Sequence, residues 1–352
     1  MIQAALVRAV LTGLAGVLLL TSPALAQSLP PNELGRIMVL EYHKIDYPEE
    51  RWTRTPENFR RDLETLYARG YRLQNLNAVI DGRITVPAGT TPVVLTFDDS
   101  SPGQFRYVVK DGKLEVDPKC GVGVLEAFIR EKPDFGRAAT FFVLPGASRP
   151  NRLFDQPEHE GRKLQFLASQ GYEIGNHTLW HANLGKYDEP TVRGQIAEAQ
   201  VWIHRHVPDY PIRTLALPHG VYPKNLAWAQ SGTAKGTTYK TDGILMVAGG
   251  AAPSPFARTF DALRIPRIQA VERDLGYWLG YFEKNPSERY VSDGDRRRSR
   301  SLPGSATSSS PSPPRSRSSS ADPPSFAAPH NRQARRLRAR VSGDARSASV
   351  SN

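Results

Sequence analysis

The sequence predicts an α/β protein, a distorted (β/α) barrel with mostly parallel strands, followed by a disordered C-terminal tail. Short apolar runs alternate with amphipathic, helix-like segments over residues 36 to about 285, which is typical of a parallel sheet. Polar side chains directly follow several of the apolar runs, as expected at the carboxyl ends of barrel strands. Beyond about residue 290, large apolar residues almost disappear.

The first 26 residues have the pattern of a secretory signal peptide. Arg8 precedes an apolar stretch, and Ala-Leu-Ala at 24–26 forms a small-residue cleavage site. The apolar stretch is short for a membrane span, which needs about 20 residues, although an uncleaved N-terminal anchor is the alternative. We therefore expect an exported protein, periplasmic or extracellular, that starts near Gln27 with a linker over residues 27–35 and keeps no membrane span.

The first predicted elements of the domain are a strand, a helix and a second strand. The run "IMVLEY" (37–42) predicts a strand. In the segment that follows, Thr55 is a suitable N-cap, Pro56 suits the first helical position and Gly70 suits the helix end. A second strand, "PVVLTF", is predicted at 92–97.

The alternation continues to the end of the predicted domain, which we place at residues 36–290. The remaining elements, in chain order, are a helix at "VGVLEAFIRE", a strand at 138–144, a helix at 161–171, a strand at 172–176, a helix at 190–206, a strand at 213–218, a helix at "YPKNLAWAQSG", a strand at "GILMVAGG", and the closing segments "LRIPRI" and "LGYWLGYFEK".

The C-terminal segment, residues 291–352, carries most of the net charge. It contains 12 Arg, no Lys, 4 Asp and no Glu, and so accounts for +8 of the formal net charge of +11. A segment composed largely of Arg, Ser, Pro and Ala cannot bury enough apolar surface to offset its ordering entropy, so we expect disorder. Out-of-frame sequence is a second explanation. Nucleic acid is not an expected partner of an exported protein.

Two groups of polar residues follow predicted strands. Asp98 and Asp99 end the strand at 92–97 in the motif "TFDDS", and "HTLWH" places His177 and His181 four residues apart after the strand at 172–176. An H-x-x-x-H pair alone is a weak signal. In a parallel barrel, however, both strand ends lie at the same rim, so the four side chains are expected to meet there.

These residue types point to hydrolysis at a metal ion. Two neutral imidazoles and one carboxylate are sufficient to bind a catalytic Zn²⁺ and leave a position for water, whose pKa the metal lowers to about 7. The second carboxylate then has a separate task, as the general base that removes a proton from that water. The alternative is that the two aspartates simply begin the turn at residues 100–103.

The motif "TFDDS", followed about 80 residues later by "HTLWH", resembles the polysaccharide deacetylases, carbohydrate esterase family 4. The segment "LEYHKI" (40–45) is similar to the Tyr-His-x-Ile segment of one branch, whose substrates include poly-N-acetylglucosamine. The likeness covers roughly residues 36 to 285. It implies an enzyme that removes N-acetyl groups from an N-acetylglucosamine-containing polysaccharide, with a divalent metal, most suitably Zn²⁺.

The resemblance also assigns roles to individual residues. It makes Asp98 the catalytic base and Asp99, His177 and His181 the metal ligands. The late Leu-x-His motif is not found, so the general acid stays open between His43, the first candidate, and His219, the second. For His43 the alternative is a hydrogen-bonded rim histidine.

Two departures from the family pattern affect the predicted site. Ser100 stands where Gly is usual, a modest change only if the backbone there is not left-handed. The third motif, commonly R-x-P-Y, appears as "ALPH" at 216–219, so its Arg is missing and His219 replaces Tyr. Arg213 is nearby in sequence, and whether it takes the place of the missing Arg stays open.

Two other functions are compatible with these residues. The altered third motif suggests a carbohydrate-binding relative that has lost turnover. Two histidines and one carboxylate also bind iron in oxygenases, but the alternating architecture and the export signal argue against that class. The choice of polysaccharide, the metal in the cell and the oligomeric state are not predicted.

Overall fold

The computed structural model describes residues 29–295. The predicted signal peptide (1–26) and most of the predicted tail (291–352) lie outside these residues. Among the described residues, no helix combines the length and the apolar character needed to cross a membrane.

Strands and helices alternate along the chain. The strands are β1 Met38–Tyr42, β2 Lys44–Ile45, β3 Thr53–Arg54, β4 Tyr71–Leu73, β5 Thr91–Phe97, β6 Tyr107–Lys110, β7 Lys113–Val116, β8 Thr140–Val143, β9 Glu173–Asn176, β10 Thr214–Ala216, β11 Ser231–Ala234, β12 Thr237–Lys240, β13 Gly243–Leu245 and β14 Ile268–Gln269. The helices are α1 Pro56–Ala68, α2 Leu76–Ile80, α3 Gly121–Glu131, α4 Glu160–Ser169, α5 Glu189–His204, α6 Ala227–Gln230 and α7 Glu272–Lys284.

One eight-stranded sheet organises the molecule. Its order is β13-β10-β9-β8-β5-β1-β14, with β4 also paired to β5, and its strand pairs are parallel. A parallel bridge between Leu245 and Ile265 connects the β13 end to the segment that leads into β14. The sheet therefore curls towards closure, and the prediction of a distorted barrel of mostly parallel strands is confirmed.

Alternation along the central strands separates two layers of core. In β1, Met38 and Leu40 pack among the outer helices, whereas Val39 packs with Val94 of β5 and Phe142 of β8 in the barrel interior. Successive side chains of a strand point to opposite faces. The same alternation directs the next inward positions of β1 and β5 into the upper barrel, where the apolar filling ends.

Helix α1 follows the predicted signals. The Thr55 hydroxyl accepts a hydrogen bond from the Asn58 N–H at 3.2 Å, Pro56 is the first helical residue, and Gly70 has φ +78°, a conformation that glycine adopts without steric cost. Phe59, Leu63 and Leu66 recur at helical spacing on one face of α1 and are buried.

The predicted helix at "YPKNLAWAQSG" is largely wrong. Only Ala227–Gln230 is helical, and the chain then forms the antiparallel pair β11–β12. Lys235 and Gly236, with φ of 53° and 75°, make the two-residue turn that favours a hairpin. The threonines around this turn prefer the extended backbone of a strand.

The predicted linker (27–35) and the predicted start of the tail at 291 differ from the structure. Asn32 and Val291 exchange backbone hydrogen bonds of 2.8 and 3.0 Å, and the Ser292 hydroxyl donates to the Val86 carbonyl at 3.1 Å. Val291 is buried. Pairing between the two ends of the domain therefore extends the folded body to at least residues 32–292.

Candidate functional site

The candidate site is a cleft of about 300 Å³ at the carboxyl ends of the sheet strands. The six residues singled out in the sequence all line it: His43 after β1, Asp98 and Asp99 after β5, His177 and His181 after β9, and His219 after β10. The parallel sheet thus brings together side chains from four separate strand ends, as the fold class predicts.

Asp99, His177 and His181 form a group with the geometry of a cation site. The Nε2 atoms of His177 and His181 lie 3.3 and 3.4 Å from the Asp99 Oδ1 atom, and the three ligand atoms lie within 4.8 Å of one another. Bond lengths of about 2.0–2.2 Å to a tetrahedral Zn²⁺ correspond to ligand separations of roughly 3.3 Å. The three residues therefore fit a small divalent cation.

The orientation of His177 supports the same reading. Its Nδ1–H donates to the Ala216 carbonyl at 2.9 Å, because a carbonyl oxygen can only accept. In the neutral imidazole this leaves the lone pair on Nε2, the atom that faces Asp99. A backbone carbonyl in this position is the usual partner of a metal-bound histidine.

The charges of the cluster favour a cation between these ligands. Burial alone would raise the pKa of Asp99, but the hydrogen bond and charge of His177 outweigh burial and hold that pKa well below its usual range. Burial would lower the pKa of His177, yet Asp98 and Asp99 raise it. The pKa of His181 is lowered to about 4 by burial and by the charge of His177. The carboxylates therefore stay ionised, and positive charge is stabilised where the imidazoles meet them.

Asp98 lies beside this group, with its Oδ2 3.8 Å from the His177 Nε2, and is bound by a buried arginine that sequence reasoning missed. Arg267 Nη1 donates to Asp98 Oδ1 at 2.8 Å, and Nη2 donates to Oδ2 at 2.7 Å. Both side chains are almost fully inaccessible. Burial alone would raise the pKa of Asp98, but the charges of Arg267 and His177 lower it, so the carboxylate is held ionised and fixed in direction.

Glu41 is the second carboxylate on the same guanidinium. Arg267 Nη2 donates to Glu41 Oε1 at 2.8 Å, and burial together with Asp98 raises the pKa of Glu41 despite the arginine. Glu41, His43 and Asp98 also have ligand atoms within 4.8 Å of one another. Because the guanidinium already supplies the positive charge between Glu41 and Asp98, this group does not fit a second cation.

Arg213, the arginine considered from the sequence, lies elsewhere. It donates to Asp81 at 2.6 and 2.9 Å and to Asp242 at 2.7 Å, outside the cleft. Arg267 stands in "LRIPRI" immediately before β14, at the amino end of a strand, whereas the other site residues follow strands, so the strand-end pattern does not identify it.

The backbone after β5 is left-handed at two successive non-glycine residues. Asp99 and Ser100 have φ of 75° and 42°, so the condition under which Ser100 would be a modest change does not hold. The Ser100 hydroxyl offsets part of the steric cost. It donates to the Asn151 carbonyl and accepts from the Leu144 N–H, both at 2.9 Å.

His43 and His219 line the cleft from different strands, His43 after β1 and His219 after β10. The His43 ring packs against Trp52, with centroids 4.6 Å apart, and burial lowers the pKa of His43. The Gln104 side chain donates to the carbonyls of both His43 and Asp98, and so joins the ends of β1 and β5. The ring of His219, a residue with φ +58°, lies 4.4 Å from that of His181.

The family model and the curated relatives that this chain matches are all deacetylases. Residues 124–235 match the family model of polysaccharide deacetylases. A chitooligosaccharide deacetylase from Sinorhizobium fredii is 28% identical over 141 residues, which are 39% of this chain and 53% of the relative. A peptidoglycan-N-acetylglucosamine deacetylase from Bacillus cereus is 27% identical over 144 residues, 41% of this chain and 42% of the relative. The chain thus spans about half the length of the curated relatives it matches.

A solved structure shares the fold. The deacetylase PplD from Streptococcus pyogenes, solved in complex with acetate, superposes with a TM-score of 0.52 at 17% identity, over 71% of this chain and 98% of that chain. At this identity the likeness concerns the fold alone. The family model matched at residues 124–235 and the curated relatives make this chain similar to the polysaccharide deacetylases, and the solved structure shares its fold.

Proposed function

We propose that the protein is a metal-dependent hydrolase that removes N-acetyl groups from an N-acetylglucosamine-containing polysaccharide. The observation that carries the proposal is the meeting of Asp99, His177 and His181 beside a separate, arginine-bound carboxylate, Asp98. Acetyl removal from amino-sugar chains is also the activity named for the curated relatives.

The residues divide into a metal group and a proton-transfer group. Asp99, His177 and His181 would hold a divalent cation, most suitably Zn²⁺, which supplies a Lewis acid and lowers the pKa of a water molecule to about 7. The oxygen of the attacking water bonds to the acetyl carbon, and Asp98 accepts the proton that this water loses. Arg267 keeps the Asp98 carboxylate ionised and aimed into the cleft, which is the preorganisation that general-base catalysis requires.

His43 and the backbone of His219 complete the reaction. As the carbon–nitrogen bond breaks, His43 donates a proton to the leaving sugar amine, so that the products are acetate and a free amino sugar. Packing against Trp52 fixes the His43 ring for this transfer. The His219 N–H stabilises negative charge that develops on the acetyl oxygen, as oxyanion donors do.

Acetate release from acetylated chitooligosaccharides tests the proposal directly. We expect release by the purified protein, loss after chelation and recovery when Zn²⁺ is restored. Asp98→Asn is expected to abolish turnover, whereas Asp242→Asn, a carboxylate outside the cleft paired with Arg213, serves as the matched control. Activity that persists after complete metal removal would contradict the mechanism.

The alternative of a carbohydrate-binding relative without turnover rests on the arginine missing from the third motif and on His219 in place of its Tyr. Arg267 supplies a guanidinium to Asp98 from another part of the chain, which weakens the first of these two grounds. Glycan binding with bound metal but no acetate release from any substrate would favour it again.

We also propose that the protein is exported, with residues 1–26 as the signal peptide and the Arg-rich C-terminal segment as a tail outside the catalytic domain. The charge and apolar pattern of the first 26 residues support export. Fractionation of the producing cells with N-terminal sequencing of the product tests this. A product that retains Met1 and stays in the cytoplasm would contradict it.

A further inference from the structure

Lys163 of α4 is a buried cation that the proposed chemistry does not use. None of its side chain is exposed, and its Nζ lies 5.9 and 5.7 Å from the ring centroids of Phe105 and Phe154. Burial lowers its pKa to about 8. Nζ donates a hydrogen bond of 2.8 Å to the Phe154 carbonyl. An ammonium in apolar surroundings costs stability, which points to a specific task for this contact.

The carbonyl that Lys163 binds belongs to a left-handed turn. Leu153, Phe154 and Asp155 have φ of 40°, 67° and 54°. Non-glycine residues seldom adopt this region, because the Cβ atom then lies too close to the following carbonyl oxygen. Such a backbone persists only where surrounding contacts hold it in place. The Lys163 ammonium is one of these contacts.

The turn is bonded to the chain that carries a metal ligand. The Phe154 N–H donates to the Ser100 carbonyl at 2.9 Å. Ser100 directly follows Asp99, and the left-handed backbone of these two residues directs the Asp99 carboxylate towards the histidines. Two hydrogen bonds therefore lead from Lys163 through the Phe154 backbone to the segment that sets the direction of Asp99.

We propose that Lys163 is a positioning residue for the metal centre. Its ammonium fixes the left-handed turn at 153–155, and the turn fixes Ser100 and thereby the direction of Asp99. The inference rests on the proposed function in so far as Asp99 is taken to be a metal ligand.

Lys163→Met tests the inference, because methionine keeps an unbranched stem and removes the ammonium. We expect the dissociation constant for Co²⁺ to rise about tenfold or more, the size of effect typical of residues that support metal ligands, with a changed visible spectrum of the bound Co²⁺. For acetate release we expect kcat to fall and KM to change little. Leu167→Met, a buried position of the same helix, should match the wild type in all of these readouts.

The outcome that overturns the inference is a folded Lys163→Met protein with the Co²⁺ affinity and spectrum of the wild type. If Lys163→Met does not fold, the Co²⁺ affinity and spectrum of Lys163→Gln, which keeps a neutral donor, are measured instead. Values equal to those of the wild type overturn the inference in the same way. Thermal unfolding of each variant shows which case applies.

Amide hydrogen exchange separates this inference from the proposed function. A wild-type protein that binds no Co²⁺ and releases no acetate counts against the proposed function only. In that case the positioning role of Lys163 is still tested by hydrogen exchange of the Phe154 amide, which bonds to Ser100. This exchange should be at least about tenfold faster in Lys163→Met than in Leu167→Met. Equal rates in the two folded variants overturn the positioning role.

Discussion

The guanidinium of Arg267 holds both carboxylate oxygens of Asp98, at 2.8 and 2.7 Å, although 169 positions separate the two residues in sequence. Both side chains are buried, so the pair is strongly directional and little screened by solvent. The adjacent aspartate, Asp99, faces two imidazoles instead. Two neighbouring carboxylates thus have different partners, and this difference leads to separable effects of mutation.

Asp98→Asn and Asp99→Asn are expected to fail in different ways. Asp98→Asn should lower kcat by about 10²- to 10⁴-fold, the usual contribution of a general base, while Zn²⁺ affinity changes little. Asp99→Asn should weaken Zn²⁺ binding itself. Steady-state acetate release and competition for Zn²⁺ with a chromophoric chelator measure the two quantities. Equal losses of metal affinity in both variants would contradict the division of roles.

Arg267→Met is expected to destabilise the fold as well as to lower activity. It leaves Asp98 and Glu41 buried without their cation, a loss of about 3–5 kcal/mol in the free energy of unfolding. Arg213→Met is the matched control, because Arg213 also binds two carboxylates but its side chain is 27% exposed. There the loss should be about 1 kcal/mol or less. Urea denaturation of both variants provides the comparison, and similar losses would argue against a special role for Arg267.

His43→Gln and His219→Gln distinguish the two candidates for the general acid. If His43 protonates the leaving amine, His43→Gln should reduce kcat by at least about 100-fold with little change in KM. His219→Gln keeps the backbone N–H and should retain most of kcat. A ranking in the opposite order would transfer the acid role to the His219 imidazole.

Lys163 should give the stability of the wild type a distinctive dependence on pH. Its folded pKa of about 8 lies below the ordinary 10.5, so between these values the unfolded chain binds more protons than the folded one. Stability from this group therefore increases as pH rises from about 8 to 10.5, by at most about 3 kcal/mol. The difference in unfolding free energy between wild type and Lys163→Met should shift in favour of the wild type over this range. Urea denaturation at pH 7, 8, 9 and 10 measures this difference in unfolding free energy. A difference that does not change with pH would contradict the lowered pKa of Lys163.

Much of the site could be predicted because its residues follow strand ends. Asp98, Asp99, His177 and His181 stand directly after apolar runs or close to them, and a parallel sheet carries such positions to one rim. The alternation of apolar and helical segments was sufficient to predict the barrel. These signals are local in sequence, and the fold then brings the residues that follow the strand ends into contact.

Arg267 and Lys163 were not predicted, for physical reasons. Arg267 meets Asp98 only because the sheet curls until β14 lies beside β1, and no local pattern reports the partner of a buried ion pair. Lys163 occupies a helical position where lysine usually indicates a solvent-exposed face. Sequence proximity left open whether Arg213 takes the place of the missing arginine, and its side chain binds Asp81 and Asp242 instead.

The pairing of β1 with β14 joins the start of the domain to its end. Glu41 and Arg267 are 226 positions apart, and contacts of such long range form late because the intervening loop must first be closed. A nascent chain whose residue 267 is still inside the ribosome has Asp98 without its cation. On the proposed function, hydrolysis should therefore appear only when synthesis of the domain is almost complete, and shorter intermediates should be inert towards acetylated sugars.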